Sequence, residues 1–218
     1  MKKLVIFDLD GLLIDTERMY HETWKRTFSD ENLHMPEDLL LSPAGKALKE
    51  TKKVITDHFK DDDIFDVLRS KREIKFWQMA KDFGVPVKEG AQEVIDFLNN
   101  KNITMALASS TQTDRALKLI DLSNLKLSFK IMMFGDMVRE TKPSPEIYNL
   151  VMSKLGYKVD ETIILEDSYS GIKAANNANV DVLWIKDLID QTDKKDIYYK
   201  KSFNSLHEVI PYLAKVIE

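Results

Sequence analysis

The sequence predicts an α/β fold: a doubly wound parallel-sheet core with a helical cap domain inserted after the first strand. Three observations predict it. A short apolar run opens the chain, similar runs alternate with helical patterns from residue 86 onward, and residues 16–85 between them carry helical patterns without a convincing strand. The expected core therefore combines residues 1–15 with 86–218, and the expected cap takes 16–85. At 218 residues the chain is long enough to bury one sizeable core and still carry such an insert.

Residues 3–9 are apolar and β-branched and end in Asp8-Leu9-Asp10-Gly11, the pattern of a buried strand that delivers acids to a turn. In the insert, Ile64, Val67, Ile74 and Trp77 recur at helical spacing among Lys, Asp and Glu. Gly84-Val85-Pro86 and Lys88-Glu89-Gly90 mark the return to the core. There Ala91, Val94, Ile95 and Leu98 share a helical face. Further strands are expected at Ile103–Ala108, Ile131–Phe134, Thr162–Leu165 and Val180–Ile185. Helices between them are expected at Thr111–Leu122, after Ser144-Pro145 as far as Gly156, and at Ser170–Ala178.

Composition removes several chemistries. With no cysteine there is no disulfide framework, thiolate nucleophile or sulfur-bound metal, and a reducing, cytoplasmic setting is expected. The opening apolar run stops at Asp8, too early for a signal peptide, and nothing approaches the length of a membrane span. The net charge of −4, from 32 basic and 36 acidic residues, gives no general attraction for nucleic acid but leaves room for a small anionic substrate. Neither a nucleic-acid partner nor a membrane is expected.

In an open parallel sheet, ligands bind outside the carboxyl ends of the strands. Asp8 and Asp10 end the first predicted strand and Ser109 the second. Lys142 follows the third, and Glu166-Asp167 end the fourth. Four gathered carboxylates repel one another, and a divalent cation offsets that; oxygen-only ligands suit Mg²⁺. The set also suits phosphoryl transfer, with Asp8 attacking phosphorus, Asp10 as acid and base, Ser109 bonding a phosphoryl oxygen and Lys142 supplying fixed charge. Each piece alone has a plainer reading. Asp-x-Asp-Gly is often only a turn, Ser109, Ser110 or Thr111 can cap the next helix, Lys142 can be solvated, and Glu166-Asp167-Ser168 can be a helix start. The conjunction in one order along one sheet edge favours chemistry.

These residues resemble the haloacid dehalogenase superfamily, in the branch of phosphoglycolate phosphatase-like and β-phosphoglucomutase-like enzymes with a helical cap. Phe7 through Glu17 resembles its first motif and Ala108-Ser109-Ser110 its second. Thr141-Lys142-Pro143-Ser144-Pro145 resembles the third, and Leu165-Glu166-Asp167-Ser168 through Gly171-Ile172-Lys173-Ala174-Ala175 the fourth. The resemblance implies a Rossmann-like core and an aspartyl-phosphate at Asp8. It implies Mg²⁺ held by Asp8, the Asp10 carbonyl and Asp167, with Glu166 assisting directly or through water, and a cap that closes over a small phosphorylated metabolite. Asn179 stands where the family has Gly, and Asn tolerates the left-handed conformation required there. β-Phosphoglucomutase-like sequences carry a His near Tyr20 and an Arg in the cap loop that here reads Gly45-Lys46-Ala47-Leu48-Lys49, which favours a phosphatase over a phosphomutase. Substrate contacts are expected from Thr16, Tyr20, Lys46, Lys49 and Ser110. Trp24, one helical turn from Tyr20, is expected in the cap's own core. A monomer is expected, with a weak dimer as the alternative, and a non-turnover phosphoacceptor domain is the competing function of another class.

Overall fold

The structure is a computed structural model and describes residues 1–41, 48–188 and 194–217. Strand β1 (Leu4–Phe7) is followed by helices α1 (Thr16–Asp30), α2 (Glu37–Leu41), α3 (Leu48–Phe59) and α4 (Ile64–Phe83). The chain then continues as α5 (Ala91–Asn100), β2 (Thr104–Ala108), α6 (Thr113–Ser123), β3 (Ile131–Met133), α7 (Glu146–Leu155), β4 (Thr162–Glu166), α8 (Tyr169–Asn177), β5 (Asp181–Ile185), β6 (Lys201–Phe203) and α9 (Ile210–Val216). The six strands form one all-parallel sheet in the order β3-β2-β1-β4-β5-β6. The order reverses between β1 and β4, so the crevice outside their carboxyl ends is the expected ligand position.

Successive residues of a strand face opposite sides of its sheet, and β1 uses both. Val5 and Phe7 join the core built with α5, α6 and α9, whereas Leu4 and Ile6 join the one built with α7 and α8. All four are fully buried. The expected face of α5 is buried too, at Ala91, Val94, Ile95 and Leu98.

Between β1 and α5 the described residues form helices and no strand of the sheet. Trp24, Phe28, Leu40, Ile55, Phe65 and Leu68 make a separate core there. The chain enters and leaves this segment through adjacent antiparallel backbones, where Ile14 bridges Val87, Asp15 N donates to the Pro86 carbonyl at 2.7 Å and Lys88 N to the Leu13 carbonyl at 2.9 Å.

Four details differ from the sequence reading. In α4 the helix is present but its buried face is Phe65, Leu68, Arg72, Phe76 and Ala80, while Val67 and Ile74 are exposed. Of the four residues at helical spacing, Ile64 and Trp77 pack against the two cores and Val67 and Ile74 do not, because an arginine occupies the centre of the buried face. Pro145, not Ser144, is the N-cap of α7, and the Ser144 hydroxyl accepts from Glu146 N at 3.3 Å. No member of Ser109-Ser110-Thr111 caps α6; Gln112 is its N-cap, and Asp136 accepts from Thr113 N at 2.9 Å. The edge strand β6 carries only one buried residue, Phe203, and so gives almost no apolar signal. Gly156 does end α7 in the left-handed region at φ 74°, and Asn179 takes φ 57°. No described helix is long and apolar enough to cross a membrane.

Candidate active site

Each group at the carboxyl edge is placed by the end of a strand. Asp8 follows β1 directly, its backbone N held by the Leu165 carbonyl of β4 at 3.2 Å. The chain then turns tightly, with Leu13 N and Ile14 N both donating to the Leu9 carbonyl, which sets Asp10 beside Asp8. Gly11 makes that turn at φ 83°, and a β-carbon there would collide with Asp167 Oδ2.

Lys142, far from solvated, is buried to 3% side-chain exposure, with Nζ 2.5 Å from Asp8 Oδ1 and 2.6 Å from Glu166 Oε1. Burial works against its charge, but the two carboxylates outweigh it and hold the ammonium well above its usual pKa. Glu166 is fully buried and its oxygens are committed. Oε1 accepts from Lys142 and from the Tyr148 hydroxyl at 3.0 Å, and Oε2 from Asp167 N, Ser168 N and Ser168 Oγ, each at 3.0 Å. It holds Lys142 and the turn into α8, and direct metal ligation by it would have to break some of these bonds. Gly171 keeps room for it, since a β-carbon at that position would overlap the Glu166 carboxylate.

Asp167 has the opposite character. Its Oδ1 is buried with no hydrogen-bond partner among the described residues. Burial first, then the charges of Glu166 and Asp8, push its carboxyl well above the ordinary range. Asp8 is pushed up to about 8 by burial and by Glu166 and Asp10, against the pull of Lys142. Ligand oxygens of Asp8, Glu166 and Asp167 lie within 4.8 Å of one another. Two destabilised carboxylates, an uncommitted buried oxygen and an oxygen-only donor set fit a divalent cation. The Asp167 carbonyl accepts from Trp184 Nε1 at 3.1 Å, and Ser168, whose Oγ accepts from Gly171 N, caps α8.

Asp10 does not share that cluster. Thr16 Oγ1 and Thr111 Oγ1 each donate to its carboxylate at 2.8 Å, to different oxygens, and Ser109 Oγ is a more distant donor at 3.4 Å. Two donors fix the plane of the carboxylate, as proton transfer requires. Ser109 itself is buried and accepts from Thr111 N at 3.0 Å. Ser110 is exposed.

The predicted substrate contacts are dispersed. Thr16 reaches Asp10. The Tyr20 hydroxyl accepts from Arg115 Nη2 at 2.8 Å and Nε at 3.2 Å, and burial, reinforced by the Asp10 charge, raises the phenol to about 12. Lys49 is exposed on the first turn of α3. Lys46 lies outside the described residues.

Sequence reasoning missed Thr111, Tyr148, Arg115 and Arg72. Arg72 is 4% exposed, its guanidinium 4.7 Å from the Tyr20 ring and 5.3 Å from the Trp24 ring. Nη2 pairs with Glu73 at 2.8 Å, while Nε and Nη1 have no partner among the described residues. Its spacing from Phe65, Leu68 and Phe76 was the available signal, because the four share one helix face. Tyr148 was hidden by its place in the apolar stripe of α7.

A parallel sheet with acids after β1 and β4, a hydroxyl after β2 and a buried lysine after β3 defines a class of acid-centred hydrolases. Residues 5–185 match the family described as haloacid dehalogenase-like hydrolase, and the chain belongs to it, as its four motifs implied. It is 33% identical over 182 residues, 83% of either chain, to a phosphorylated carbohydrates phosphatase of Thermotoga maritima. A pyrophosphatase of Oceanobacillus iheyensis is 27% identical over 93% of this chain and 89% of its own. Among solved structures, a Thermotoga maritima protein assigned to the β-phosphoglucomutases superposes with a TM-score of 0.81 at 28% identity, covering 99% of this chain and 100% of that one.

Proposed function

We propose that this phosphoric monoester hydrolase is a Mg²⁺-dependent phosphatase acting on a small phosphorylated metabolite of sugar-phosphate type, through an aspartyl-phosphate at Asp8. The observation that carries the reading is the division of labour among the acids. Asp8 and Asp167 are buried and destabilised, Asp8 against Lys142, whereas Asp10, two residues from Asp8, is held apart by two threonine hydroxyls. The names of the phosphatase relatives support the substrate class.

In the first half-reaction a carboxylate oxygen of Asp8 attacks phosphorus. The bond from phosphorus to the leaving oxygen breaks, and Asp10 protonates that oxygen. In the second, water attacks the aspartyl-phosphate, Asp10 takes its proton, and inorganic phosphate leaves with Asp8 restored. Ser109 supplies a hydroxyl to a phosphoryl oxygen, and Lys142 keeps a positive charge against Asp8 throughout. Mg²⁺, held by Asp8 and Asp167 with the Asp10 carbonyl, would favour the ionised nucleophile and neutralise charge on the transferring group. Residues 16–85 act as the cap that excludes water and selects the substrate.

The test is steady phosphate release from p-nitrophenyl phosphate. Turnover is expected with Mg²⁺, loss with chelator, and recovery when Mg²⁺ is restored; a single burst without turnover would instead indicate a phosphoacceptor. Incubation with β-glucose 1-phosphate and a bisphosphate primer separates the phosphomutase, because isomer formation outrunning phosphate release would replace the proposal.

A further inference from the structure

One carboxylate used by none of these steps stands between the metal site and the path into the cap. Asp187 follows β5 and its side chain is 6% exposed. Its Oδ1 is 2.5 Å from Lys88 Nζ and 3.6 Å from Arg18 Nη1, and Arg18 is itself 2.5 Å from Asp15 Oδ2. Asp15 and Lys88 belong to the two adjacent backbones that lead into and out of the helical segment, paired by the Asp15–Pro86 and Lys88–Leu13 hydrogen bonds. Asp187 therefore holds a cation from each side of the hinge. Its other oxygen, Oδ2, is buried with no hydrogen-bond partner among the described residues. That oxygen flanks Gly11 on the same side as Asp167 Oδ2: a β-carbon on Gly11 would lie 3.2 Å from it and collide with Asp167.

We propose that Asp187 is a positioning residue that couples cation binding at Asp8 and Asp167 to the order of the cap hinge. The inference rests on the metal-site reading above. Without a cation, Asp167 and Asp187 present like charges on one side of Gly11, and their repulsion works against the carboxylate that anchors Lys88 and Arg18. A divalent cation at Asp167 reverses the sign of that force. Asp187 is then attracted, and the two hinge cations are held against a fixed carboxylate. Occupancy of the metal site thereby steadies the backbone pair on which the cap segment is mounted, without any direct contact between cap and metal.

Two measurements test this on the full chain. Mg²⁺ titration followed by tryptophan fluorescence reads affinity, since Trp184 bonds the Asp167 carbonyl. Amide exchange resolved by NMR reads the hinge at Asp15 N and Lys88 N. In the unaltered protein, Mg²⁺ is expected to slow both amides about tenfold. In Asp187→Asn, Mg²⁺ affinity is expected to fall about 3- to 10-fold, and saturating Mg²⁺ no longer slows the hinge. Lys88→Met is expected to act in the opposite sense on affinity. It removes a competing cation, so Mg²⁺ binds at least as tightly, while hinge exchange quickens and ceases to respond to metal. Weakened affinity in Asp187→Asn with none in Lys88→Met, both having lost the hinge response, is a signature that structural damage does not produce. The proposal is overturned if Asp187→Asn keeps both its affinity and its hinge response, if Lys88→Met weakens Mg²⁺ as Asp187→Asn does, or if Mg²⁺ binds the unaltered protein without slowing the hinge. A flat Mg²⁺ titration of the unaltered protein would instead overturn the metal site itself, and the coupling with it.

Discussion

The carboxyl edge of the sheet and the cluster that faces it from α1 and α4 are both charged and largely buried, yet they are built on opposite plans. At the edge, apart from the carboxylate oxygens left for a cation, the polar atoms are committed: Glu166 takes five hydrogen bonds, Lys142 sits between two carboxylates, and Asp10 is held by two threonines. In the facing cluster Arg72 is stacked on Tyr20 and Trp24, and its Nε and Nη1 lack partners among the described residues. A site that must stabilise charge in a transition state gains from fixed dipoles and charges. A site that selects among substrates keeps donors uncommitted until a ligand supplies the acceptors. On this view the edge should govern kcat and the cluster KM.

The largest effect is expected at the edge. Asp8→Asn should lower turnover by at least about 10⁴-fold, as removal of a nucleophile does, with the melting temperature preserved or raised because a buried, destabilised carboxylate is replaced by a neutral isostere. Retained steady-state phosphate release would break the comparison at its root. Next comes Thr111→Val, which removes one of the two hydroxyls on Asp10 at little change in volume. A hydrogen bond to a charged group is worth about 1.5–3 kcal/mol, so kcat should fall about 10- to 10²-fold with KM nearly unchanged. An effect on KM alone would move Thr111 from positioning Asp10 to binding substrate.

That residue also shows how far the chemistry was legible in the sequence. Strands β1, β2, β4 and β5 are runs of buried apolar residues, and the acids ending them stand where such strands deliver side chains, so Asp8, Asp10, Glu166 and Asp167 could be placed from the pattern. Lys142 was placed by following β3 only loosely, and its burial between two carboxylates was invisible, because the sequence does not tell which lysine finds a partner. Thr111, Tyr148 and Arg115 act across long sequence separations, and no local periodicity marks them. The buried face of α4 was half misread for a related reason: hydrophobic spacing assumes that an arginine lies outside, and Arg72 lies inside because two aromatic rings cover its guanidinium.

The cluster is probed by Arg72→Met, which keeps an unbranched stem and removes the charge. Deleting a buried guanidinium with two donor nitrogens unpartnered among the described residues should leave stability unchanged or improved by about 1 kcal/mol, read from the urea midpoint. KM for anionic sugar phosphates should rise about tenfold, whereas kcat for p-nitrophenyl phosphate, which has little to offer the cap, should change less than about threefold. A fall in kcat equal for both substrates would place Arg72 with the edge and erase the distinction between the two plans.

Lys49→Ala should have the smallest effect and sharpens the boundary of the cluster. Lys49 lies on α3, the helix before the one that carries Arg72, and has the same charge, but its side chain is in solvent. An exposed ammonium is already hydrated, so its removal should change KM by less than about twofold and stability by less than about 0.5 kcal/mol. The contrast with Arg72→Met then isolates desolvation as the reason one cation selects and the other does not. If Lys49→Ala raised KM tenfold for a sugar phosphate while leaving the aryl substrate untouched, α3 would have to approach the sheet edge during turnover. The selecting surface would then extend beyond the aromatic-stacked arginine to the start of α3, and the line between committed edge and uncommitted cluster would have to be drawn for a closed arrangement of the cap.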